Sequence, residues 1–250
     1  MESSSGGRPF LLISTRDDPV AAEDEVRGFL AASGLSAGEL AVHALDAAPL
    51  PQDLDPGDYS GILLGGGPFN SSDDPASKSM TQLRVESELA ALLDVLVERD
   101  FPFLGACYGV GTLGTHQGGT VDRAHAEPVG TTRVELTAAG AADPITAGMP
   151  RRFEAFVGHK EALSRLPADA VLLATSATCP VQMFRVRTNL YATQFHPELD
   201  GDGLATRIAV YRDAGYFPAD QADGLARLAR SAEVSWPSRV LQNFVRRYRC

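Results

Sequence analysis

The sequence predicts an α/β fold: an open, mostly parallel central sheet with flanking helices and additional antiparallel strands. Three observations carry this. Short, fully apolar runs alternate with helix-period segments over the first 110 or so residues, two of those runs end in glycine-rich turns, and from Thr131 onward β-rich segments take over. Repeated strand–helix–strand units imply right-handed crossovers, helices on both faces and a site at the strands' carboxyl ends.

Taken in order, Phe10–Ser14 is an apolar run that reads as a buried strand, followed by a helix over residues 19–32. Strands are expected at 41–45 and 60–64. The second runs straight into Gly65-Gly66-Gly67-Pro68, where glycine lets the backbone turn sharply and leave N–H groups open to a ligand. Residues 82–99 carry Leu89, Leu92, Leu93 and Leu96 on one helical face, before a strand at 101–106. Strands at 133–137, 171–175, 181–186 and 190–194 are read as antiparallel additions. Residues 203–249 read as helical, broken at Pro218 and Pro237. The Ser- and Gly-rich residues 1–8 are expected to be flexible, and 9–250 to form one domain with a C-terminal helical segment.

A net charge of −10 and a pI near 4.9 argue against a nucleic-acid surface. The local exception, Arg246, Arg247 and Arg249, falls at a helix end, where cations complement the negative dipole. Cys107, Cys179 and Cys250 lack the spacing of a disulfide framework or a zinc site, so reduced thiols in the cytosol fit best. His116 and His125 have no metal-ligand companions at useful spacing, and neither metal nor cofactor is expected. With no secretory signal and no run of ~18 apolar residues, a cytoplasmic protein without membrane contact is expected.

The segment Phe103-Leu104-Gly105-Ala106-Cys107-Tyr108-Gly109 is an apolar strand ending in a Gly-x-Cys-x-Gly turn that enters a helix. Small residues on both sides permit the tight, strained turn of a nucleophile elbow. A cysteine nucleophile needs a base, and the base benefits from a carboxylate that holds its tautomer. Gln194-Phe195-His196-Pro197-Glu198 supplies both at the end of a predicted strand. Alone, Cys107 would read as a small buried hydrophobe and His196 as a loop histidine; the glycine frame and the paired carboxylate favour chemistry.

Together these motifs resemble the class I glutamine amidotransferases, most closely the glutaminase domain of GMP synthetases. The match covers roughly residues 10–215, including Leu63-Leu64-Gly65-Gly66-Gly67-Pro68. The resemblance implies a flavodoxin-like fold and a Cys107–His196–Glu198 triad. It also implies an oxyanion hole from the backbone N–H groups of Gly67 and Tyr108, and attack of Cys107 on the side-chain amide of L-glutamine. Ammonia would pass to a synthetase on another chain. Gly66, Gly111 and His159 are the expected substrate contacts. One departure stands out: Gly111 replaces the Gln that helps hold glutamine in the family, and the missing side chain is expected to leave space for another substrate. His159, in Val157-Gly158-His159-Lys160-Glu161, reads equally as a pocket residue or as a loop histidine beside solvated charges. The alternative is a freestanding hydrolase of γ-glutamyl peptides or amides with the same triad; a third reading is a silent binding protein that kept the fold.

Overall fold

The structure, a computed structural model, describes residues 7–250; the flexible start expected at 1–8 therefore lies, except for Gly7 and Arg8, outside the described residues. Strand β1 (Phe10–Ser14) leads into α1 (Pro19–Ser33). Asp18 caps that helix by accepting from the Val20 and Ala21 N–H groups, and Gly34 ends it at φ 75°, a conformation that favours glycine. Next come β2 (Leu40–Ala44), β3 (Gly61–Leu64), α2 (Met80–Glu98), β4 (Phe103–Ala106) and α3 (Tyr108–His116). β1 pairs in parallel with β2 on one side and β3 on the other, and β3 pairs in parallel with β4.

Side-chain alternation explains the continuous apolar runs. Phe10 and Leu12 pack with Phe29 of α1, while Leu11 and Ile13 pack with Val85, Leu89 and Leu93 of α2. β1 is covered on both faces, so neither set of its core side chains can be polar. The C-terminal α7 (Ser238–Tyr248) joins α1 through Val240, Leu241 and Phe244, and α3 lies on the α2 side through Val110 and Leu113.

The second half contains β5 (Thr120–Asp122), β6 (Glu127–Leu136), α4 (Ala138–Ala142), β7 (Arg152–His159), β8 (Ala162–Arg165), β9 (Val171–Ser176), β10 (Met183–Val186) and β11 (Leu190–Thr193). It differs from the expectation in two places. β11 is not an antiparallel addition on both sides: it pairs in parallel with β4 and antiparallel with β10, and so joins the two parts of the sheet. β7 and the β5–β8 ribbon are strands where none was expected. The main sheet runs β2-β1-β3-β4-β11-β10-β9-β6-β7. Helices α5 (Gly201–Val210) and α6 (Ala222–Ser231) pack Leu204, Ile208 and Ala229 against Phe156 of β7. The first five strands in that order are parallel, so the carboxyl ends of β1, β3, β4 and β11 lie side by side.

Candidate active site

Cys107 sits between β4 and α3 at φ 53°, ψ −85°, a conformation that a non-glycine residue adopts only when its surroundings impose it. Its N–H donates to Thr193 O at 2.7 Å, extending the β4–β11 ladder by one bond. Gly105 is required by close approach: a Cβ there would lie 2.7 Å from Gly109 Cα. Tyr108 opens α3, and its N–H, like that of Gly67, has no acceptor among the described residues. Two open amides therefore flank the thiol, as expected at a helix start and a glycine turn.

Register brings the distant histidine to the elbow. Thr193 lies opposite Ala106, so Gln194 falls beside Cys107, with its Nε2 4.0 Å from Sγ, and the chain turns through His196 directly afterwards. His196 is buried, and its Nδ1 donates to Glu198 Oε1 at 2.8 Å. A Cβ on Gly66 would stand 3.0 Å from His196 Cε1 and 3.7 Å from Cys107 Cβ, so the glycine loop closes directly on the pair. Burial pulls the imidazole down, but the Glu198 carboxylate and the Cys107 sulfur outweigh it and raise His196 above its ordinary value. Burial pushes Glu198 the other way, yet His196 and Arg207 hold it well below the carboxylate range.

Behind the triad lies a charge cluster that the motifs did not reveal. Arg207 Nη1 is 3.0 Å from Glu198 Oε1 and 3.1 Å from His196 Nδ1. Since Nδ1–H already donates to Glu198, the guanidinium bonds the carboxylate and only abuts the ring. Arg207 Nη2 lies 3.7 Å from Glu25 Oε1, and Glu25 also accepts from Arg16 Nε at 2.8 Å and Ser14 Oγ at 2.7 Å. Glu25 is fully buried, and its carboxyl group occupies the place of any Cβ on Gly65, 2.5 Å away. Arg16 Nη2 presses on Gly66 in the same way, and Thr15 Oγ1 on Gly67. The three glycines thus reflect what presses on the loop as well as the turn itself. A sequence signal existed: Glu25 sits between Ala21 and Phe29 on the buried stripe of α1, and Arg207 beside Leu204 and Ile208 on that of α5.

The surroundings of Gly111 differ from expectation. Gly111 lines the cleft but leaves no vacancy, because a Cβ there would lie 2.5 Å from Ser71 Oγ and 3.1 Å from Glu161 Oε1. Glu161 is no solvated charge: it is buried and accepts from the N–H groups of Ser71 at 2.7 Å and Ser72 at 2.8 Å. Lys160 donates to Ala214 O at 2.7 Å and lies 4.2 Å from the Tyr216 ring centre. His159 ends β7 rather than occupying a loop. It lines the cleft, with Nδ1 2.8 Å from Glu161 O and Nε2 2.9 Å from Glu127 Oε2.

Glu127, His159 and Cys179 bring one potential ligand atom each within 4.8 Å of one another. The carboxylate is already committed, accepting from Thr132, Thr178 and Gln182 as well as His159. Burial pushes the Cys179 thiol up to about 12, which keeps it protonated and a poor ligand. The cluster reads as a hydrogen-bonded core. His116 pairs with Asp94, and His125 contacts Thr178 O, both away from the cleft.

Cys107, His196, Gly67, Tyr108, Gly111 and His159 all line one cleft enclosing about 820 Å³ and open at its mouth, walled on the α5 side by Leu204, Ile208, Tyr216 and Phe217. Fold and site define a flavodoxin-like α/β protein with a Cys–His–Glu constellation at the carboxyl ends of adjacent parallel strands. The sequence matches the family described as glutamine amidotransferase class-I over residues 22–208, and the chain belongs to that family. A glutamine-hydrolyzing GMP synthase subunit from Thermoplasma acidophilum is 30% identical over 161 residues, 62% of this chain and 73% of that protein. The glutamine-hydrolyzing GMP synthase of an Enterobacter species is 27% identical over 146 residues, a stretch covering only 25% of its length. Among solved structures, a glutamine amidotransferase from Thermotoga maritima superposes with a TM-score of 0.76 at 19% identity, over 96% of this chain and 98% of that one. A putative GMP synthase subunit from T. acidophilum gives 0.58 at 24% identity, over 89% and 96%. At those identities the likeness is one of fold. No helix among the described residues is long and apolar enough to cross a membrane.

Proposed function

We propose that the chain hydrolyses the side-chain amide of glutamine through Cys107, and that the ammonia passes to a synthetase on another chain. The observation that carries this is the alignment of Cys107 on its strained elbow with the His196–Glu198 pair and the open amides of Gly67 and Tyr108. The Cys107 sulfur attacks the amide carbon, and the resulting oxyanion lies against the two N–H groups; losing one such donor costs about 10²–10³ in rate. The imidazolium of His196, held by Glu198, delivers its proton to the departing nitrogen as the C–N bond breaks. Water then attacks the γ-glutamyl thioester, with His196 taking its proton, to release glutamate and restore the thiol. The name of the T. acidophilum relative, a subunit of a glutamine-hydrolyzing GMP synthase, supports the synthetase partner. The unpaired state of Cys107, Cys179 and Cys250 supports a cytoplasmic setting.

A second reading, a freestanding γ-glutamyl amide hydrolase, is favoured by the packing at Gly111, where Ser71 and Glu161 fill the place of the family's glutamine-holding side chain. Ammonia and glutamate release from L-glutamine, measured for wild type and Cys107→Ala, tests the first reading. Cys107-dependent release supports it; turnover of γ-glutamyl amides with none of glutamine supports the second.

A further inference from the structure

The cleft has two unlike halves. Toward α3, Gly111 is closed off by Ser71 and Glu161, and the open backbone amides of Gly67 and Tyr108 line the cleft with Cys107, beside Phe69 and Val110. Toward α5 the lining is largely apolar, although Arg16, Lys160 and Arg207 also reach the cleft. Val129, Val157, Leu204, Ile208, Tyr216 and Phe217 line it, and the hydrophobic cluster behind it is continuous with this wall. Ammonia, the leaving group of glutamine itself, offers this wall nothing to bury.

The aromatic part of the wall is held in place. Residues 211–217 follow α5, and two cations from the site's own elements grip them. Arg16 Nη1 donates to Tyr211 Oη at 3.0 Å, and Lys160 Nζ donates to Ala214 O at 2.7 Å while lying 4.2 Å from the Tyr216 ring centre. Tyr216 lines the same cleft as Cys107, and burial, the larger cause, pushes its hydroxyl up to about 12.

We propose that this wall is a subsite for the leaving amine of the γ-glutamyl amides of the second reading, and that the preferred amide carries an apolar, ring-sized substituent on its nitrogen. The inference rests on the proposed acyl transfer at Cys107. The same steps apply with a different leaving group: the sulfur bonds to the amide carbon, the C–N bond breaks, and the proton of the His196 imidazolium goes to the departing primary amine. Water then cleaves the thioester to glutamate. Geometry favours this side, because Arg207 of α5 holds Glu198 and with it His196, so the acid that protonates the leaving nitrogen stands at the foot of the apolar wall.

The test compares the kcat/KM of the full chain for γ-L-glutamyl-benzylamide and γ-L-glutamyl-methylamide; benzylamine is the weaker base and the better leaving group, an advantage that is the same in every variant, so the wall is read from the change in the ratio between variants. The proposal expects the benzylamide to be favoured by about 10-fold or more, the return on burying part of a ring. It also expects that ratio to fall several-fold in Tyr216→Ala and in Phe217→Ala, while Tyr216→Phe keeps it. Wild-type hydrolysis of the methylamide without preference for the benzylamide overturns the subsite and leaves the chemistry standing, as does a ratio unchanged in both alanine variants. Failure of both amides and of glutamine, with no Cys107 dependence anywhere, removes the acyl-transfer reading and the subsite with it.

Discussion

Arg207 Nη1 stands 3.0 Å from Glu198 Oε1, a buried guanidinium holding the carboxylate that holds His196. The contact extends the constellation by one member and connects it to Glu25, whose carboxyl group lies against the Gly65 end of the glycine loop. The base and the amide donors thus share a buried support. Arg207→Met is expected to lower kcat by about 10- to 100-fold with a smaller change in KM, as for other groups that orient a reacting side chain. It leaves Glu198 and Glu25 less compensated, at about 3–5 kcal/mol of stability. Arg207→Lys restores part of the rate, and steady-state kinetics with thermal melts of the three proteins check both effects.

The pH profile follows from the same pair. His196 is raised, so the imidazolium stabilises the fold fully below its unfolded value of about 6.5, and that contribution is lost as pH climbs through the higher folded value. In the proposed mechanism the same protonated ring is the general acid. The alkaline limb of kcat/KM is therefore expected above pH ~6.5, and in Glu198→Gln it moves down, because the carboxylate that raises the ring has gone. A limb at the same pH in both proteins would contradict the assignment.

Gly111 offers a test of packing against lineage. Restoring the family's residue with Gly111→Gln is not expected to lower KM for glutamine, because the new Cβ meets Ser71 Oγ at 2.5 Å. Overpacking of this kind costs about 1–3 kcal/mol. A drop in melting temperature of several degrees, with KM unchanged or raised, is the expected outcome.

Glu127 ties β6 to β7 and to the loop carrying Cys179. Burial raises its carboxyl, but hydrogen bonds led by His159 prevail and lower it to about 2. Its contribution is present above the unfolded value of about 4.3 and is lost as pH falls toward 2. Glu127→Gln is expected to reduce stability at neutral pH by about 3 kcal/mol and to flatten the decline between pH 4.5 and 2. Urea unfolding across that range reads both.

The sequence made the parallel half legible because β1, β3 and β4 are continuous apolar runs, and the last two lead into glycine-framed turns. The elbow and Gln194-Phe195-His196-Pro197-Glu198 were legible because their chemistry depends on adjacent residues. β7 was missed because Phe156, on the face opposite Phe153 and Ala155, is also buried under α5 and α6, which blurs the alternation. Glu25, Arg16 and Arg207 were missed for another reason: they come from three distant segments, and the fold alone brings them together. The filling of Gly111 by Ser71 and Glu161 is likewise a matter of tertiary packing, and an absent side chain in a motif gave no notice of it.

The central claim is that Cys107 is a nucleophile armed by His196. It is tested most directly by incubating the full chain with 6-diazo-5-oxo-L-norleucine, an electrophilic glutamine analogue, and locating the adduct by peptide mass spectrometry. The account predicts one adduct per chain, on Cys107, slowed by added glutamine or γ-glutamyl amide and lost in His196→Ala. Labelling that survives in His196→Ala, or that falls on the exposed Cys250 instead, would contradict it.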